Sequence, residues 1–273
     1  MFDNFSSDEF MTKILLHLSA QVLSNVKLTP IAKKNIAVGL EQMTSAIKFV
    51  TLPFALAGHT AEAIEEKYKK FLQNTFRKVP EEKLLSPDPT ISIPVIQNII
   101  RVFDKDDIKE IYSNLLASAS NIDKRVNVHP YFPLMISQLS SLEVLILESF
   151  KKNPLLPFME VQSKFNDETA LPLPIVEHFC LVDGYEDDYF NVSSSLTILV
   201  NLGLIQKVSG FVKMTDENPY EKIYNSKTFE SIRTIFKTLE QEKLTLKNNN
   251  SIQLIYGSFK LTNLGNKFLS VCY

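Results

Sequence analysis

From Ile108 to Ala119 the side chains of Ile108, Ile111, Tyr112, Leu115, Leu116 and Ala119 recur at intervals of three and four. This spacing puts them on one face of an α-helix and predicts a helix over 105–120 that must bury that face against other elements. Asp104 stands where a cap is needed, and Asp106 and Asp107 in the first turn favour the positive end of the helix macrodipole. A basic loop with Lys124 and Arg125 follows, then His129-Pro130, which predicts a restarted helix over 130–139. Ser140 and Glu143 have capping-box spacing and open a further helix to about Phe150. The chain as a whole must accommodate this helical unit.

Upstream, Ser6 and Glu9 form a capping box for a helix over 7–26, and Thr29-Pro30 starts another over 30–52. A helix over 60–78 carries Glu62, Glu66 and Lys70 at i,i+4 spacing, and a short one is predicted over 94–103. Between these last two, Pro80, Pro87, Pro89 and Pro94 predict an extended connection from Val79 to Pro94. The run SAIKFVTLPFALAGHT over 45–60 is almost uncharged yet shorter than the roughly 20 residues that cross a bilayer. It reads either as a buried helix pair or as a segment that enters a membrane interface, with Phe49, Val50, Leu52, Phe54 and Leu56 as the candidate membrane or partner surface.

Beyond residue 150 the pattern changes. Phe158, Val161 and Phe165 mark a β stretch, and an acidic loop runs over 183–188. A helix through SSSLTILVNL is stopped by Gly203, and strands at 204–208 and 251–261 flank a helical excursion over 220–244. Thr262 caps a final helix. The order helix, strand, helix, helix ending in LGLI, strand, turn, strand and final helix resembles a winged-helix domain, so the expected fold is mainly α: a helical domain over 1–139, followed over 140–273 by a winged-helix-like α+β domain with a helix inserted between its wing strands.

Composition narrows function mostly by exclusion. Lys and Arg number 29 against 31 Asp and Glu, and neither half is basic, so nothing draws a polyanion from a distance. The helix that would read DNA offers Ser193, Ser194, Ser195, Thr197 and Asn201 but no Lys or Arg, and an acidic loop precedes it. Nucleic acid is a disfavoured partner. Only 7 glycines, in no Gly-rich run, leave little for phosphate-cradling loops. His17, His59, His129 and His178 are scattered, with no zinc-protease helix and no nucleophile elbow, so no catalytic residue, metal ligand or cofactor is assigned. Cys180 and Cys272 read as buried thiols in a reducing compartment. Acids near the N-terminus argue against export and for a cytoplasmic chain, peripheral to the inner membrane face if 45–60 engages lipid.

Two polar residues in the helical unit remain candidates. His129 either caps the helix that follows or contacts a phosphate or substrate. Asn114, inside an otherwise apolar run, is expected to bond to the His129 loop.

VPEEKLLSPDPTISIPVIQNI, then YSNLLASAS, then HPYFPLMISQLSSLEVLIL resemble the signature of the abortive-infection alpha family of bacterial proteins. NLGLI and LTNLGNKFLSVC resemble that family's ending. The likeness runs from about residue 45 to 273, and its motif positions here are Asn114, Leu115, Leu116, His129 and Pro130. The resemblance implies phage defence in which an infected cell stops growing or dies, with no known reaction and no catalytic residues to carry over. It is joined by an expectation of action through a protein partner, self-association or the membrane. A winged-helix regulator or antitoxin-like component, and a toxin enzyme using His129, are the alternatives.

Overall fold

The structure is a computed structural model and describes residues 61–164, 172–210, 218–241 and 251–273. The expected helices over 7–26 and 30–52 lie outside the described residues. The rest is mostly helical with one four-stranded antiparallel sheet. Its contacts divide into two compact units: residues up to Ser141 together with Lys267–Tyr273, and Leu142–Asn266.

The first unit is built on the predicted amphipathic helix. Helices α1 (Ala61–Arg77), α2 (Pro89–Ile99), α3 (Asp106–Ala119) and α4 (Phe132–Ser137) are arranged so that α3 packs against all three others. Its predicted face is the buried one: Ile108, Ile111, Tyr112, Leu115 and Leu116 are buried almost completely. Two buried hydrogen bonds fix the helices that meet there, Tyr68 Oη donating to the Ile96 carbonyl at 2.8 Å and Thr75 Oγ1 to Ser113 Oγ at 2.9 Å. Satisfying these hydroxyls inside the core avoids a penalty of about 1–3 kcal/mol each. On the exposed side of α1, Lys70 and Glu66 pair at 3.6 Å, as the i,i+4 spacing predicts.

Two local expectations are corrected. The chain over 79–94 is not extended throughout: a 3-10 turn occupies Glu81–Lys83, and α2 begins at Pro89 with Pro94 inside it. Asp88 starts the helix by accepting the Thr90 N–H at 2.8 Å, while Pro89 stands at a first-turn position where no donor is needed. Pro94 forfeits one backbone bond, and the burial of Ile91, Val95, Ile96 and Ile99 outweighs that loss. Asp104 does not cap α3; Lys105 holds the N-cap position, and Asp104 pairs with Lys67 at 2.9 Å.

The second unit runs α5 (Ser141–Lys152), β1 (Leu155–Lys164), β2 (Leu173–Phe179), α6 (Tyr189–Asn201), β3 (Ile205–Ser209), α7 (Pro219–Tyr224), α8 (Lys227–Gln241) and β4 (Ser251–Leu261). The sheet order is β2-β1-β4-β3, antiparallel throughout. Two helices, rather than one, stand between β3 and β4. Asn218 begins the first by accepting the Tyr220 N–H at 3.0 Å. One sheet face buries Met159, Val161 and Val176 with Tyr220, Ile223 and Phe229 of these helices.

α6 ends as its glycine predicts. Gly203 has φ 71°, and the Leu204 N–H reaches the Leu199 carbonyl while the Gly203 N–H reaches Val200, the paired bonds of a Schellman cap. The last helix, α9 (Asn263–Cys272), opens on Thr262, whose Oγ1 accepts the Gly265 N–H at 2.9 Å and donates to the Gly203 carbonyl. A Cβ on Gly265 would stand 1.9 Å from the Leu204 carbonyl oxygen, so only glycine fits there.

Candidate functional site

Of the motif residues, Asn114, Leu115 and Leu116 lie on α3, which meets the last seven residues of the chain, while His129 and Pro130 lie in the turn before α4. Leu115 and Leu116 are fully buried core residues. Asn114 is half-buried beside them and uses both ends of its amide: Nδ2 donates to the Cys272 carbonyl at 3.0 Å, and Oδ1 accepts from Lys78 Nζ at 2.7 Å. Lys78 also pairs with Glu110 at 2.6 Å. One turn further on, Ser118 Oγ donates to the Val271 carbonyl at 2.9 Å. The last carbonyls of a helix have no partner within it, and here α3 side chains supply partners for two carbonyls near the end of α9. Phe268 completes the joint by meeting Phe132 edge-on at 5.3 Å. The expected bond from Asn114 to the His129 loop is not made, because the C-terminal backbone and Lys78 take both amide atoms.

His129 is exposed. Its Nδ1 accepts the Tyr131 N–H at 3.1 Å and its carbonyl accepts the Phe132 N–H at 3.0 Å. The ring therefore closes the turn that leads into α4, and Pro130 lies exposed within that turn. With Nδ1 accepting, the neutral ring carries its proton on Nε2.

The turn between the two motif halves is firmly built. Leu84 and Asn121 form an isolated β-bridge, the Ile122 N–H donates to the Lys83 carbonyl, and Asn121 Oδ1 accepts the Asp123 N–H at 2.9 Å. Lys83 and Asp123 pair at 2.6 Å, and Arg125–Asn127 form a 3-10 turn. Yet this turn and the start of α4 leave Ile122, Val126, Tyr131 and Leu134 exposed, Val126 to 76%. Among the described residues of this unit, all the exposed large hydrophobic side chains lie between Ile122 and Leu134.

Phe49, Val50, Leu52, Phe54 and Leu56, the other candidate surface, lie outside the described residues. No helix among the described residues is long and apolar enough to cross a membrane. Nor do three His, Cys, Asp or Glu side chains come together there as a metal-binding group. Both cysteines are free and buried, and burial pushes their thiols well above the usual range.

Sequence reasoning overlooked a charged cluster in the second unit. Glu160 on β1 is buried, and both its oxygens accept from Lys207 Nζ of β3, at 2.7 and 2.9 Å. His178 Nε2 of β2 lies 3.4 Å from Glu160 Oε1. The pairing of β1 with β2 slips here, so that Glu177 and His178 together oppose Glu160, and His178 adopts φ 54°. Such a bulge bends the strand and turns a side chain. The Tyr189 hydroxyl takes up the Glu177 backbone N–H and carbonyl at 2.9 and 2.8 Å. Gly257 leaves room for the Phe158 ring, over which Lys207 Nζ lies at 5.2 Å from the centroid. Burial depresses the His178 pKa, with Glu160 opposing the shift. Lys207 and His178 close the carboxylate off, so the cluster stitches three strands together, and the buried His178 Nδ1 has no hydrogen-bond partner. A lone glutamate inside the apolar run LLPFMEV was the one sequence signal that pointed to it.

No curated protein and no solved structure matches the chain. A family model described as abortive infection alpha matches residues 60–272. The match spans both motif halves, the turn between them and the C-terminal helix docked on α3, and by it the chain belongs to the abortive infection alpha family.

Proposed function

We propose that this protein is a phage-defence factor that acts in the cytoplasm by binding rather than by catalysis, engaging a protein partner, a second copy of itself or the inner membrane face. Family membership supports the defence role. The observation that carries the binding mode is the contrast within the motif region: Asn114 and His129 are tied to backbone atoms, while the turn between them holds apolar side chains out to solvent. A concentration of exposed apolar side chains marks an interaction surface.

We read the second unit as winged-helix-like, on the order α5, β1, β2, α6, β3, α7, α8, β4, α9, with β2 in the place where the sequence leads us to expect a further helix, and on the antiparallel pairing of β4 with both β1 and β3. Its role in this account is to dock or assemble rather than to bind DNA, since α6 carries no Lys or Arg to meet phosphate.

Phage plating tests the proposal. A host expressing the chain should lower plaque counts at least tenfold against a susceptible phage panel, with cultures arresting after infection. Plaque counts equal to the empty-vector host across that panel would remove the defence role.

A further inference from the structure

We propose that the stretch from Ile122 to Leu134, the turn after α3 together with the start of α4, is a docking surface for an anionic lipid bilayer. The inference rests on the binding mode proposed above and names its partner by chemistry. Isolated exposed hydrophobics are ordinary on any protein, but here those of an entire unit's described residues are crowded into one short stretch. Interleaved with them are the exposed cations Lys124 and Arg125 and the exposed His129.

Charge decides the kind of surface. The acid within the turn, Asp123, is neutralised by Lys83 at 2.6 Å. Asp88, which Arg125 faces from longer range, is held by Thr90 through its N–H and hydroxyl at 2.8 and 2.7 Å. Lys124 has no ion-pair partner among the described residues. The turn therefore offers aliphatic tips with cations beside them, the combination that enters a headgroup layer: the apolar groups reach the acyl boundary while the cations meet lipid phosphates. Ile122, Val126 and Leu134 are aliphatic, and a bilayer requires no shape match from them.

Rigidity favours the same reading. The β-bridge at Leu84 and Asn121, the Lys83–Asp123 pair and the 3-10 turn hold the apolar tips out before any partner arrives, so little ordering cost remains for binding.

The test is flotation of the full chain with phosphatidylcholine vesicles, with and without phosphatidylglycerol, at low and high salt. Wild type should float with the anionic vesicles at low salt and be released by salt. The pair Val126→Asp and Leu134→Asp, and separately Lys124→Glu with Arg125→Glu, should each weaken vesicle binding at least tenfold at an unchanged melting temperature. Because each pair exchanges exposed side chains, folding is kept; if either pair lowers the melting temperature, Val126→Ser alone replaces it, with severalfold weakening expected. Wild type failing to float at low salt overturns the proposal, and so does equal flotation of wild type and all variants. A wild-type dimer that the variants turn into monomer, with flotation unchanged, would assign the turn to self-association instead. Vesicle binding is read without phage, so loss of plating protection by a variant that still floats would count against the defence role alone.

Discussion

Asn114 and Val126 belong to the same unit, one on α3 and one in the turn that follows it, yet their environments are opposite. Asn114 has each end of its amide engaged, by a lysine and by the carbonyl of Cys272. Val126 is a valine held almost wholly in solvent on a turn fixed by backbone bonds. A buried polar group left unsatisfied costs more than the bond it makes returns, so the Asn114 joint is built for stability. An exposed valine gains the fold nothing, and stabilisation of the free protein offers no account of it. The joint holds the C-terminal helix against α3; the turn faces outward.

This contrast yields a graded set of expectations. Leu116→Ala, in the fully buried face of α3, should cost about 2–5 kcal/mol in chemical denaturation. A loss under about 1 kcal/mol would mean that α3 is not the hub of its unit. Asn114→Ala should cost about 1–3 kcal/mol by leaving the Cys272 carbonyl without its donor. An unchanged unfolding midpoint would place the C-terminal segment elsewhere in solution. His129→Ala removes one bond in an exposed turn and should cost about 1 kcal/mol or less. Loss of activity with full stability in that variant would turn His129 from a turn-former into a reacting group. Val126→Asp with Leu134→Asp should move the melting midpoint least of all, within about 0.5 kcal/mol per site.

The charged cluster of the second unit adds a dependence on pH. Burial lowers the His178 pKa, while Glu160 and Glu177 raise it and Lys207 lowers it further. Below an unfolded histidine value of about 6.5, the unfolded chain then binds more protons than the folded one. This contribution to stability is complete above that pH and is lost as pH falls through the lower folded value. The melting temperature of wild type should drop over this window more than that of His178→Gln; parallel curves for the two would show that His178 titrates freely.

The helices that bury one regular face were legible in the sequence. The period of Ile108 to Ala119 is a direct consequence of helix geometry, and Gly203 and Thr262 punctuate helix ends with side chains or φ values that few other residues supply. What stayed hidden depended on partners far along the chain. Proline spacing over 79–94 speaks of the local backbone, while α2 forms there because Ile91, Val95 and Ile96 have a core to enter. Strand β2 escaped notice because Pro174 and two slips in its register break the alternation that marks a strand. Asn114 stands out in the sequence as an odd polar residue in an apolar run. Its partner at Cys272 lies at the other end of the sequence, where no local pattern leads. The loop over 121–128 reads as basic, and Leu134 as one of the apolar residues of the helix that follows; that Ile122, Val126 and Leu134 face outward is a property of the folded unit alone.

The most direct test of the account is phage plating on hosts that express equal amounts of wild type, Val126→Asp with Leu134→Asp, and His129→Ala. A protein that defends by docking through the 122–134 turn loses protection in the first variant and keeps it in the second. Protection lost with His129→Ala at unchanged stability, and kept when the turn carries two aspartates, would contradict it.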